Sequence, residues 1–498
     1  MGSLSFRLPA NLGPERRAEL RRGYVTGLDR VPERIGVEFR DNLLIVHRDR
    51  IESGRVHLPW LIDGFGLTLV STATLVERET PYSMILELAR GKLNDVLNQA
   101  ADWHHLGLKI GPDLESRLRS ARGAFGEAAT HRDQPSACDE SAQRCLAAAH
   151  QAAVALVEAY TGQVLARRLE HAPRLPTLIS CEIEGATSSP APSWANALPD
   201  AINTARIACP WRQISPEEGQ LRFDEIDAQL QWCRKRKLIP TAGPLIDFRP
   251  AALPDWLWLW EGDFEAILGM VSELVRRAVA RYRGKISAWH LIGRPGSSEI
   301  LGLSEEEQFR ITARALQIAR LADPDVHLVV DLDRPWADWM AQSLFHLGPL
   351  HLADNLVRAE VGLSGIGLEV APGYSSPGSP MHDLLDFSRL LDLFSLLNVP
   401  LHLTMAAPSA ATPDDKADPN VRVEANQWPR TPDEATQKAW AEPWVALAVA
   451  KPFVRSVTWR HACDGSPHLY PHAGLFRPDQ TPKPLLDWLK RFRGRYLS

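Results

Sequence analysis

The sequence predicts an α/β protein, a (β/α)8 barrel preceded by a smaller N-terminal α+β domain. Three observations lead there. From Leu175 onward, short apolar runs alternate with helical stretches, the rhythm of βα repeats around a parallel sheet. Eight such runs fill roughly 320 residues, the span of one barrel. Ahead of Leu175 that rhythm is missing, and a β-rich stretch gives way to long helical periodicity.

Taken in order, residues 1–80 read as strands. IGVEFRDNLLIVHRD forms two of them around an Asp41-Asn42 turn, and GRVHLPWLIDGFGLTLVSTATLVER continues with alternating and β-branched residues. From Tyr82 the pattern becomes helical. MILELARGKLNDVLNQAADWHHLGL places apolar residues at i, i+3, i+4 and i+7, GPDLESRLRSARGAFGEAATH opens with a Pro-Asp helix start, and an Ala-rich helix fills Ala137 to His171. This places the domain boundary between residues 172 and 173. The barrel strands are expected at 178–184, 201–210, 238–247, 286–293, 326–333, 365–370, 399–405 and 456–462. Their near-continuous apolar character suits strands covered on both faces.

Composition narrows the function. The 498 residues are 45% apolar and 23% charged, ordinary for a globular protein, and a net charge of −5 offers no broad basic field for nucleic acid. The N-terminus lacks an apolar signal-peptide core, and no run reaches the ~18 apolar residues a membrane helix needs. Six cysteines without CxxC spacing fit free, buried thiols. A cytoplasmic protein without membrane, cofactor or metal is expected. His104-His105 are adjacent, so a helix points them to different sides. The sequence assigns no oligomeric state.

One stretch organises the chain: RYRGKISAWHLIGRPG, residues 281–296, an apolar strand running into a Gly-Arg-Pro-Gly loop. It resembles the fourth barrel strand of the family-10 glycoside hydrolases, the xylanases, with a pattern near RYKGKIxxWDVVNEA. WRQISPEEGQ (211–220), ALPDW (252–256), ADPD (322–325), SGIGLEV (364–370) and HAGLFRPDQTPKPLLDWLK (472–490) resemble further segments of that family, in the same order over roughly 200–498. The resemblance implies the barrel, a saccharide partner and a site at the strands' C-terminal ends. It also implies losses. The family's acid/base and nucleophile glutamates fall on Arg294 and Met405, and its strand-2 Glu and Lys fall on Ala208 and Pro210. Trp211 and Trp459 are kept.

Retaining hydrolysis needs two carboxyls about 5–5.5 Å apart, and neither arginine nor methionine supplies one. Two readings follow. In the first, the barrel binds a saccharide or a protein without cleaving it, through Trp211, His290, Arg294, Tyr374, Trp459 and His461. In the second, relocated carboxylates restore hydrolysis, with Glu369 leading and Asp331, Asp333 or Glu184 as partner. Residues i and i+2 of a strand share a face, so Asp331 and Asp333 are expected to point one way. Glu369 and Arg294 are expected to form a salt bridge.

Overall fold

Eight parallel strands close into a barrel in the computed structural model: β1 (Leu178–Glu182), β2 (Thr204–Ile207), β3 (Ile239–Ala242, resuming at Ile246–Asp247), β4 (Ala288–Gly293), β5 (His327–Asp333), β6 (Gly365–Val370), β7 (Leu401–Met405) and β8 (Val454–Trp459). Each pairs with its sequence neighbour. Val457 of β8 lies against Ile179 of β1, and Thr241 of β3 against Ala288 of β4, so no edge is left open. The structure describes all residues except 1, 11, 28, 29, 50, 189, 190, 298, 344, 376 and 377.

The strands follow the expected runs but end earlier at the mouth. Residues 183–184, 208–210 and 460–462 turn out of the sheet and form its rim. The third run is broken rather than continuous. At Gly243 the chain takes φ +125°, and a Cβ there would stand 2.0 Å from the His290 carbonyl oxygen. Only glycine allows the two backbones to pass so closely.

The N-terminal region builds two four-stranded sheets. One joins Gly36–Arg40, Leu43–Arg48, Gly2–Arg7 and Tyr82–Ser83, with the expected hairpin turning at Asp41, whose φ is +50°. The other joins Pro32–Glu33, Tyr24–Thr26, Arg55–Ile62 and Gly66–Ser71. Helices α1 (Pro14–Leu20), α2 (Met84–His105), α3 (Pro112–Thr130) and α4 (Pro135–His171) complete the region.

Helix α4 serves both halves. Its first part buries Cys138, Ala142, Cys145 and Leu146 in the core of the N-terminal sheets, while Leu156, Val157 and Leu165 belong to the apolar core continuous with the barrel. Each buried leucine or valine here contributes about 1.5–3 kcal/mol by leaving water, so the junction is held apolar as well as ionic. Across it run a buried ion pair between Lys92 of α2 and Asp383, and a bridge of 3.0 Å from Arg389 to Asp95. All six cysteines are free and buried, and no helix among the described residues is long and apolar enough to cross a membrane.

Candidate functional site at the barrel mouth

Four strand ends shape the mouth through charge. Arg294 follows β4 with φ +58°, a left-handed conformation uncommon for a residue with a side chain. That turn aims its guanidinium inward. Nη1 donates to Asp247 of β3 at 2.8 Å, and Nη2 donates to Oε2 of Glu369 on β6. The expected Arg294–Glu369 salt bridge is therefore present, with Asp247 as an additional partner. All three residues are at least 95% buried.

Asp247 also receives Arg249 at 2.8 Å. Burial pushes its carboxyl upward, but Arg249, Arg294 and Arg460 outweigh burial and hold it at about 2. Burial likewise opposes ionisation of Glu369, and Arg294 and Arg460 more than offset it, leaving the pKa below the usual value. Both acids are therefore fixed as anions near neutral pH. An anion bound to arginine cannot protonate a leaving oxygen.

A second polar cluster fills the barrel interior beneath. His290 of β4 lies 2.7 Å from Asp331 Oδ1 through Nδ1, and 3.1 Å from Arg206 Nη2 through Nε2. Arg206 can only donate, so His290 Nε2 accepts, and Nδ1–H donates to Asp331. Burial and then Arg206 lower the His290 pKa, in keeping with this neutral tautomer. Arg206 also donates to Thr404 at 3.0 Å. Gly367 of β6 makes room for this cluster, because a Cβ there would stand 1.7 Å from Asp331 Oδ1. Asp333 does not join Asp331. It bonds Arg334 at 3.0 Å.

Above these layers opens a cleft of about 470 Å³, walled by the rims of β1, β2, β3 and β8 and by two loop segments, 416–420 and 467–469. Glu182, Glu184, Asp247, Arg249, Arg460 and His461 reach it. Arg460 Nε approaches Glu182 at 3.3 Å. Among the described residues Glu184 has only a 3.3 Å hydrogen bond from Gln213, and burial, followed by the charge of Glu182, raises its pKa.

The structure separates the sequence candidates. Of the four carboxylates proposed for catalysis, Glu184 alone lines the cleft; Glu369, Asp331 and Asp333 are engaged beneath or beside it. Of the binding candidates, His461 lines it, its Nε2 accepting from the Tyr470 backbone N–H at 3.1 Å. Trp211 packs edge-on against Trp256, Trp459 donates to the Ala473 carbonyl at 2.7 Å, and Tyr374 donates to the Pro471 carbonyl at 3.1 Å. Those three are buried and frame the rim from behind. Arg294 and His290 support the floor. Ser376 and Pro377, within the loop after β6, lie outside the described residues.

Arg206, Arg249 and Gln213 were not singled out by sequence. Arg206 alone carried a signal, a charged residue amid the apolar run AINTARIACP. Arg249 lies in a loop and Gln213 on the short helix Trp211–Ile214, where a polar residue carries no such signal.

No family model matches the chain. Over 200 residues it is 24% identical to endo-1,4-beta-xylanase B of Thermotoga neapolitana, a match covering 39% of this chain and 54% of that one. The chain thus spans about half the length of that relative. Among solved structures it is similar to native xylanase 10B from Thermotoga maritima, with 16% identity, a TM-score of 0.49, and coverage of 65% of this chain and 96% of the other. A GH10 endoxylanase from a sugarcane soil metagenome gives 17%, 0.48, 64% and 97% for the same quantities, and a GH10 protein from Paenibacillus barcinonensis 15%, 0.49, 68% and 98%.

Proposed function

We propose that the barrel mouth binds a saccharide without hydrolysing it. The observation that carries this reading is the Asp247–Arg294–Glu369 ion-pair set at the ends of β3, β4 and β6. It puts a permanently charged donor where the resemblance to xylanases implies the acid, and it holds two carboxylates as paired anions. The cleft beside it keeps several hydrogen-bonding side chains and room for a small oligosaccharide.

A second reading has one specific observation in its favour. Glu184 faces the cleft with a raised pKa, as a general acid would, and Glu182 and Asp247 share that cleft. Both of those carboxylates are paired with arginines, which favours the binding reading.

Calorimetric titration with xylotetraose, alongside chromatography of the same samples, tests the proposal. Binding that weakens in Arg249→Ala, with xylotetraose left intact, is the expected result. Cleavage that disappears in Glu184→Gln overturns the binding reading in favour of relocated hydrolysis. Failure to bind any xylo-oligosaccharide rejects both.

A further inference from the structure

A second cavity, of about 410 Å³, lies between the N-terminal region and the barrel. Tyr24, Arg55, His57 and Asp95 line it from one side, and Trp336, His382, Asp386, Arg389 and Leu390 from the other. None of the residues named for the mouth reaches it.

Its polar groups are incompletely used. Asp95 receives Arg55 at 2.7 Å and Arg389 at 3.0 Å, which consumes both arginines. The Asp386 carboxylate accepts no hydrogen bond from any described residue. His382 is 95% buried and lines the cavity, yet its Nε2 has no hydrogen-bond partner among the described residues. The nearest acceptor, Asp338 Oδ2, is 4.0 Å away, beyond hydrogen-bond reach, and is itself unpartnered. The indole N–H of Trp336 is also buried without a partner among the described residues. Buried polar groups are ordinarily satisfied, so a cluster of unmet ones on a cavity wall marks a place for something that satisfies them.

Charge and shape narrow the class. His57 and His382 are neutral, because burial lowers each to about 3. Arg55 and Arg389 are already paired with Asp95, and Arg30 is exposed to solvent. Burial, then the charge of Asp383, raises Asp386 to about 7, and burial raises Asp338, behind His382, to about 6, so neither is a fully charged partner near neutral pH and the wall suits groups that both donate and accept. What is unmet is a mixture, acceptors on Asp386 and Asp338 and a donor on Trp336. Met340, Leu350, Leu390 and Leu393 supply an apolar wall, and two planar stacks, Trp336 on His382 at 4.1 Å and Tyr24 on His57 at 4.5 Å, stiffen the rest.

We infer that this interdomain cavity is a binding site, separate from the barrel mouth, for a small uncharged polyhydroxylated ring compound. Its hydroxyls donate to Asp386 and accept from the Trp336 N–H, while its carbon skeleton lies on the leucine wall. Residues from both halves of the chain meet the ligand, so binding tightens the junction between them.

Hydrogen–deuterium exchange of the full chain, with xylobiose as the neutral probe and benzylamine as a cationic one, tests this. Xylobiose is expected to protect peptides spanning 335–351 and 382–394. That protection disappears in Asp386→Asn and in Trp336→Phe, each raising the Kd about tenfold, the effect of one lost hydrogen bond to a buried partner. Two variants keep the test decisive if one folds poorly. Protection confined to the mouth segments 182–213, 416–420 and 467–469 overturns the inference and leaves the mouth reading standing. Protection at 335–351 and 382–394 alone supports the inference while removing the mouth reading. Stronger protection by benzylamine than by xylobiose overturns the ligand class.

Discussion

Replacing Arg294 by methionine isolates the ion-pair set on which the mouth depends. The methionine keeps much of the side-chain volume and removes every donor. Asp247 still has Arg249 at 2.8 Å, so the group left uncompensated is Glu369, 95% buried. Breaking a buried pair on one side costs about 3–5 kcal/mol, because the remaining charge stays out of water. Arg460 lies close enough to moderate this, which places the expectation near 3 kcal/mol. Replacing Glu369 by glutamine in the same chain removes the orphaned charge. The double variant Arg294→Met, Glu369→Gln should therefore regain about 2 kcal/mol of that loss, a coupling typical of residues in contact. Urea unfolding of wild type, both single variants and the double variant at pH 7 gives the cycle. A second check is pH: loss of Arg294 raises the Glu369 pKa, so the penalty should shrink toward pH 5. A cost below about 1 kcal/mol for Arg294→Met, or simple additivity of the two changes, would refute the view that these charges hold one another.

Other perturbations follow from single contacts. Gly367→Ala drives a methyl group into Asp331 and should cost at least about 2 kcal/mol and weaken the His290–Asp331 pair, seen as a rise in the His290 imidazole's exposure to histidine-modifying reagents. Lys92→Met leaves the buried Asp383 with its two backbone donors, Leu385 and Asp386, and His150 at 3.4 Å but no cation, and should destabilise the junction by about 3 kcal/mol, so that calorimetry resolves two unfolding transitions in place of one. His382, held at about 3 by burial, stays neutral in the folded chain while its unfolded counterpart protonates below about 6.5. Its stabilising contribution is therefore complete above pH 6.5 and declines as pH falls, by about 2 kcal/mol at pH 5. His382→Gln should accordingly lose about 2 kcal/mol less than wild type between pH 7 and pH 5 in urea unfolding.

The barrel was legible because its signal is local and repeated. Each strand is a short apolar run, and most runs are followed by a helix of ten residues or more, so single ambiguous segments such as the short helix Trp194–Ala197 did not disturb the count. The break in β3 was not legible, since Gly243-Pro244 inside an apolar run signals a bend only when the neighbouring His290 backbone is known to approach it. Among site residues, the Arg294–Glu369 pair was anticipated from the strand-end positions the xylanase resemblance assigns to both, and the two side chains do meet. Asp331 and Asp333 stand two apart on one strand beside the inward-facing Gly367 and Glu369, in keeping with a shared face; parity leaves out their partners, His290 and Arg206 for Asp331 and Arg334 for Asp333. The place of Trp336 at the junction depended on how the N-terminal region docks, which no local pattern encodes.

The central claim, a mouth that holds sugar but does not cut it, is met most directly by prolonged incubation of the full chain with xylohexaose at concentrations where calorimetry shows the cleft occupied. The ion-paired arrangement of Arg294, Asp247 and Glu369 predicts that xylohexaose is recovered whole. Accumulation of shorter xylo-oligosaccharides that stops in Glu184→Gln would contradict it.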